Sequence, residues 1–211
     1  MTRSLQDDEA RSWPALLMAA ESGDVNAANA ELAAGADVNQ SDDDGWSALH
    51  LSALNAHTSV VETLLRHPEI DPDSRNRWKS TPLILASAKG HLECVLAIVG
   101  HPRTDIDARA EYYGRTALIE AAKNGHMNVA RLLVDSGADV NSTDKSGRNN
   151  ALIEAIKGRH YEIAEYLLGS GKLNFLHKDV RLNALIWAGS SQNHQFMQKL
   201  EAAIHNFFDG N

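Results

Sequence analysis

The sequence predicts an all-α solenoid: six stacked helix pairs, with projecting β-hairpin or turn fingers between them. Three observations predict it. A short phrase recurs six times, as Pro14-Ala15-Leu16-Leu17, Ser47-Ala48-Leu49-His50, Thr81-Pro82-Leu83-Ile84, Thr116-Ala117-Leu118-Ile119, Asn150-Ala151-Leu152-Ile153 and Asn183-Ala184-Leu185-Ile186. The copies start 33, 34, 35, 34 and 33 residues apart. A fixed period of this length marks units that bury their apolar faces only by stacking. Finally, 211 residues at 43% hydrophobic content suffice for one continuous core and leave little room for a second domain.

The fourth copy shows why each element forms. Thr116 caps a short helix by offering its side-chain oxygen to free backbone N–H groups. Leu118, Ala121 and Ala122 follow at helical spacing, and the alanines admit a close neighbour. Gly125 supplies the left-handed residue that stops the helix. Val129, Ala130, Leu133 and Val134 make the stripe of a second helix, which Gly137 ends. The stretch from Asp139 through Asp144 to Gly147 has turn chemistry and forms the finger. Helix-one starts are therefore expected near 14, 47, 81, 116, 150 and 183.

The other copies vary this plan in order along the chain. The first is degenerate, with an Ala-rich second helix that carries Asn26, Asn29 and Glu31. The second and third end in longer connections, His67 to Asp73 and His101 to Asp107. In the third, Cys94 falls on the apolar stripe beside Val95 and Ile98. The fifth has an extra residue at Asn149-Asn150. The sixth lacks a following finger and ends in Phe207-Phe208, so both ends read as caps.

Gly-Ala-Asp-Val-Asn occurs verbatim at 35–39 and 137–141, and Gly-His precedes a second helix at 90–91 and 125–126. His57 and His160 take the equivalent place. This pattern resembles the ankyrin repeat over roughly residues 12–205, which implies antiparallel helix pairs in a curved stack with fingers at about a right angle. Departures exist: only His50 keeps the family's His after Leu, and Ala56, Arg159 and Gln192 replace the helix-stopping Gly. The reading divides the chain into an acidic leader at 1–11, a single domain at 12–205 and a tail at 206–211. The repeats fall at about 12–41, 42–75, 76–109, 110–143, 144–177 and 178–205.

Composition narrows the chemistry. Residues 1–44 hold ten Asp or Glu against Arg3 and Arg11, whereas the rest of the chain balances to zero, so the net charge of -8 sits at one end. A solvated outer face on a terminal repeat accounts for that. Cys94 is the only cysteine, which points to a reducing compartment and a cytoplasmic location, with nuclear or secreted-effector placement left open. No apolar run has the length of a membrane span. His57, His91, His126 and His160 repeat at one inter-helix turn, the mark of a structural role, and no His-Glu-x-x-His or paired-Cys spacing offers a metal site. No phosphate loop or nucleophile–His–acid set is present, so no catalytic residue, cofactor or metal is assigned.

The resemblance implies a concave binding face made of fingertips and the exposed side of the first helices. Mapped onto this chain, its candidates are Asp43, Asp44, Trp46, Leu54, Asn55, Arg77, Trp78, Lys89, Tyr112, Tyr113, Arg115, Lys123, Lys145 and Arg148. Leu51, Leu85, Glu120, Asn124, Glu154, Lys157 and Trp187 join from the first helices, and Lys178 to Arg181 form a last fingertip. Trp187 is expected to pack on the C-terminal cap. Aromatics in turn tips have no core to enter, and Trp, Tyr and Arg dominate interface hot spots. The alternative, compatible with a binding role, is that each ring packs across its neighbouring finger and stiffens the row. The expectation is a non-catalytic protein-binding module, monomeric by itself, acting as adaptor, inhibitor or assembly factor. Nucleic-acid binding through Arg75, Arg77, Lys79, Arg109 and Arg115 with stacking on Trp78 and Tyr112 is the second class, disfavoured by the acidity. A microbial effector aimed at a host protein is an alternative context for the first.

Overall fold

The structure, a computed structural model, describes residues 13–191 and 193–209. The leader at 1–11, the Gln192 substitution and the last two residues of the expected tail lie outside the described residues. Among those described, the first helices of the pairs are α1 (Ala15–Ser22), α3 (Ala48–Leu54), α5 (Pro82–Lys89), α7 (Ala117–Lys123), α9 (Ala151–Lys157) and α11 (Lys178–Ser190). The second helices are α2 (Val25–Ala33), α4 (Thr58–Leu65), α6 (Leu92–Val99), α8 (Met127–Asp135), α10 (Tyr161–Gly169) and α12 (His194–Asp209). Each first helix touches the next first helix, and each second helix the next second helix, so two parallel layers run the length of the stack.

Local chemistry places the starts. Ser47, Thr81, Thr116 and Asn150 each accept the backbone N–H three residues on, at 3.4, 3.4, 3.4 and 3.1 Å, so those four helices begin one residue after the cap. Leu49, Leu83, Leu118 and Leu152 are at most 1% exposed and belong to one continuous buried cluster. That is the seam expected from the repeated phrase.

The repeated histidines have a role that ties neighbouring repeats together. The Nε2–H of His57, His91, His126 and His160 donates to the carbonyls of Glu21, Leu54, Ala88 and Lys123 at 2.9, 3.0, 3.1 and 3.2 Å. Each ring thus satisfies an orphan carbonyl at the end of the preceding first helix. Three of them explain their glycines: a Cβ on Gly23 would stand 2.5 Å from the His57 ring. A Cβ on Gly90 would stand 2.4 Å from the His126 ring, and one on Gly125 would stand 2.5 Å from that of His160.

Ala56 and Arg159 adopt the same left-handed backbone, at φ 62° and 61°, with side chains that disfavour it. Arg159→Gly is expected to raise unfolding free energy by about 0.5–1 kcal/mol, since relief of αL strain exceeds the added freedom of the unfolded chain. Gly125→Ala should lower it by more than about 1 kcal/mol. Urea titrations of the two variants check the opposite signs; a stabilised Gly125→Ala would overturn the packing account.

Of the two finger forms expected, the described residues show turns and no strands, closed in two cases by isolated bridges, Ser41 to Ser47 and Thr143 to Asn150. Two expectations are corrected. The sixth first helix begins at Lys178, not near 183, so Lys178, Asp179, Val180 and Arg181 are helix and not a fingertip. No glycine interrupts residues 172–188, and Val180 is buried at 5% exposure, so packing favours continued helix. At the end, α12 runs to Asp209 and takes in most of the expected tail.

Candidate functional site

The fingers are joined to one another through the backbone. Arg77 N–H donates to the Asp44 carbonyl at 2.7 Å, Glu111 N–H to Trp78 at 3.0 Å, and Lys145 N–H to Tyr113 at 2.7 Å. Beneath them runs a side-chain ladder. The Asn39 side chain accepts from Asp71 N–H at 2.8 Å, Asp73 from Asp105 N–H at 2.8 Å, and Asp107 from Asp139 N–H at 3.0 Å. Asn141 continues it by accepting from Asn174 N–H at 2.7 Å. Burial holds the Asp73 and Asp107 carboxyls above their ordinary range. The row of fingers is therefore a braced platform.

On that platform the aromatic candidates divide. Trp46 packs edge-on against both His50 and Trp78, at ring-centre distances of 5.9 and 5.8 Å, and is half-buried. Trp78, Tyr112 and Tyr113 stay open, at 40%, 76% and 61% exposure. Arg77 pairs with Asp44 at 2.8 Å and lies 5.3 Å from the centre of the Trp78 ring. Asp43, Lys145 and Arg148 are exposed at fingertips, and Asn55 and Lys89 at the ends of α3 and α5.

Arg115 is a correction. Its side chain is only 14% exposed, bonded to Glu120 at 3.3 Å and stacked 4.6 Å from the Tyr113 ring centre. It supports Tyr113 from below and offers little to a partner. Two other guanidinium groups also serve the fold: Arg75 donates to the Arg109 carbonyl at 2.8 Å, and Arg109 to the Thr143 carbonyl at 2.6 Å.

The first helices add a graded floor. In repeat register, Met18, Leu51, Leu85, Glu120, Glu154 and Trp187 share one position, and Glu21, Leu54, Ala88, Lys123, Lys157 and Ser190 share the position three residues on. Apart from Glu21 the floor is apolar in the first three repeats; it is charged in the fourth and fifth and carries Trp187 and Ser190 in the sixth. Leu51 and Glu154, expected on the open face, are buried at 5% and 4%, and Glu154 is neutralised by Lys157 at 2.8 Å. Lys123 keeps 42% side-chain exposure while pairing with Glu120 at 3.7 Å. Trp187, expected to pack on the cap, is 43% exposed, with Lys157 Nζ 5.5 Å from its ring centre. Met18, at 56% exposure, was missed, and register with Leu51 and Leu85 was the signal that could have found it.

Reactive chemistry is sparse. Burial pushes the Cys94 thiol up, and the side chain touches the Thr58 hydroxyl at 3.4 Å. No group of three His, Cys, Asp or Glu among the described residues could hold a metal ion, and no described helix is long and apolar enough to cross a membrane. A recess of about 310 Å³ between α8 and α10 is lined by Val134, Asp135, Tyr166 and Lys172. Its polar groups satisfy one another: Tyr166 donates to Asp135 at 3.0 Å and Lys172 to the Val134 carbonyl at 3.1 Å.

Stacked helix pairs with a braced finger row and open aromatic tips define a repeat-solenoid protein. The family model "Ankyrin repeats (3 copies)" matches at residues 3–76, 68–144 and 102–179, and the chain belongs to the ankyrin repeat family. Repeats of this family generally mediate protein–protein interaction and are typically non-catalytic. Among curated proteins, the chain is 39% identical over 68 residues to the glutaminase liver isoform, mitochondrial, of Rattus norvegicus and to that of Mus musculus. The match covers 32% of this chain and 11% of each glutaminase, so the chain spans about a tenth of these relatives' length.

Proposed function

We propose that the chain is a non-catalytic binding module that grips a protein partner on its finger side, as an adaptor, inhibitor or assembly factor. The observation that carries this reading is the run of open rings at Trp78, Tyr112 and Tyr113 on a platform already satisfied by its own backbone bonds. Rigid aromatic tips present contact area at little conformational cost. The apolar floor around Met18, Leu54 and Leu85 extends that surface, and its charges set a direction. Aspartates crowd the first finger while Lys79, Lys89 and Lys145 lie further along, which favours a partner of complementary gradient. Nucleic-acid binding is the weaker reading, because Arg75, Arg77, Arg109 and Arg115 are engaged within the fold.

Affinity capture followed by surface plasmon resonance tests the proposal. Trp78→Ala, Tyr112→Ala and Tyr113→Ala should each weaken the captured partner by about 2 kcal/mol, with melting temperatures near wild type. Substitutions of Glu62, Arg131 and Glu165 on the second helices should leave affinity nearly unchanged. Loss of binding in the second set and not in the first would place the partner on the opposite side.

A further inference from the structure

The outer face of α11 is apolar and open. Ile186 of α11 shares repeat register with Ile153, Ile119, Ile84, His50 and Leu17, which are 0–4% exposed because the next first helix covers them. Ile186 itself is 57% exposed. One turn earlier on the same face, Leu182 is 50% exposed. Leu176, just before α11, is 67% exposed, and Phe208, held by Arg181 at 4.9 Å, is 44% exposed. Half of the exposed large apolar residues among those described thus lie in residues 176–208. A helix face turned to solvent in a repeat stack is ordinarily polar, and this one is not.

We infer that this face is a self-association surface, taken by α11 of a second copy lying antiparallel across a twofold axis. The residue pattern is self-complementary about its centre at Ala184. Leu182 of one copy faces Ile186 of the other, Lys178 faces Ser190, and Asp179 faces Gly189. No like charges meet, and the small residues leave room for the Lys178 stem. A twofold contact of this kind requires one patch to fit itself. Charge distribution agrees: residues 172–209 carry four Lys or Arg against three Asp or Glu, whereas residues 13–44 at the other end of the stack carry seven Asp or Glu and no Lys or Arg. Two copies can approach through α11 without the repulsion that the first repeat would bring. The contact is one helix face plus its flanks, at the small end of specific interfaces, so the dimer is a weak one, with a dissociation constant of order micromolar. A monomer, as the sequence alone suggests, is then the dilute form.

Sedimentation equilibrium on the full chain tests this over about 1 to 200 µM, a range that brackets weak, small interfaces. Weight-average mass should climb from the 23.0 kDa of one chain toward twice that value. Ile186→Lys and Leu182→Lys should each hold it at the single-chain mass, with circular-dichroism melts showing the fold retained. Leu96→Lys, on the exposed side of the second helix α6, should dimerise like wild type. A flat single-chain mass for wild type would overturn the inference. So would unchanged dimerisation in both lysine variants, or growth beyond a dimer, which a closed twofold contact forbids. None of these results bears on the finger surface, because α11's outer face and the fingertips share no residue.

Discussion

Leu118→Ala is expected to cost about 3 kcal/mol of unfolding free energy. Leu118 is 1% exposed on α7, which packs against both α5 and α9, so truncation opens a void walled by neighbouring repeats. Buried Leu→Ala changes cost about 2–5 kcal/mol through lost transfer energy plus the residual cavity, and a central helix held on both sides has little freedom to collapse into the gap. For a chain of this length the loss corresponds to a fall in melting temperature of about 6–12 °C. The matched control is Leu96→Ala at 51% exposure, which should change stability by no more than about 0.5 kcal/mol. Calorimetry on the pair decides the matter; a Leu118→Ala melt within a degree or two of wild type would contradict the seam.

Stability should also fall on mild acidification, and His50 is the cause. Its ring is fully buried, with Nε2–H donating to the Ser80 carbonyl at 3.0 Å and Nδ1 accepting from the Ser47 hydroxyl at 2.8 Å. A backbone carbonyl on one nitrogen and the Ser47 N–H, at 3.2 Å, on the other fix the neutral tautomer. Burial lowers the pKa from 6.5 to about 4. Because the unfolded chain binds the proton more readily, the contribution is complete above pH 6.5 and is lost as the pH falls toward about 4. The full shift corresponds to roughly 3 kcal/mol. Near the bottom of that window Asp73 and Asp107, whose carboxyls are raised by burial, bind protons more readily in the fold and oppose the loss. Urea midpoints between pH 7 and 5 therefore isolate the His50 effect. His50→Gln should be less stable at neutral pH but show a flatter profile, and equal slopes for the two proteins would exclude His50 as the origin.

The legible part of this fold was the part that repeats. Ser47, Thr81, Thr116 and Asn150 declare helix starts by their own side chains, and Leu49, Leu83, Leu118 and Leu152 recur at one register because each must fill the same gap between repeats. Stacking makes every interior environment the same, so six weak local signals add into one firm global statement. The recurring His at the turns was legible as structural for the same reason, though not the carbonyl each one meets. Of the candidate binding residues, the sequence could place rings at turn tips, since tip position follows from turn chemistry alone.

What each ring or charge does there was not local. Whether Trp46 packs while Tyr112 stands open depends on which finger lies beside it, and Arg115 disappears under Tyr113 because Glu120 of the next helix neutralises it. The sixth repeat was misread because the repeated phrase at 183–186 looks like a helix start, yet helix continues wherever no turn-former stops it and burial of Val180 and Phe175 rewards the extra turns. By itself, then, the sequence determined the period, the helix pairs and the apolar seam, because these rest on nearest-neighbour rules written into every copy. Only the tertiary structure decided which side chains remain free at the fingers and on α11, because exposure depends on which other elements pack against a residue.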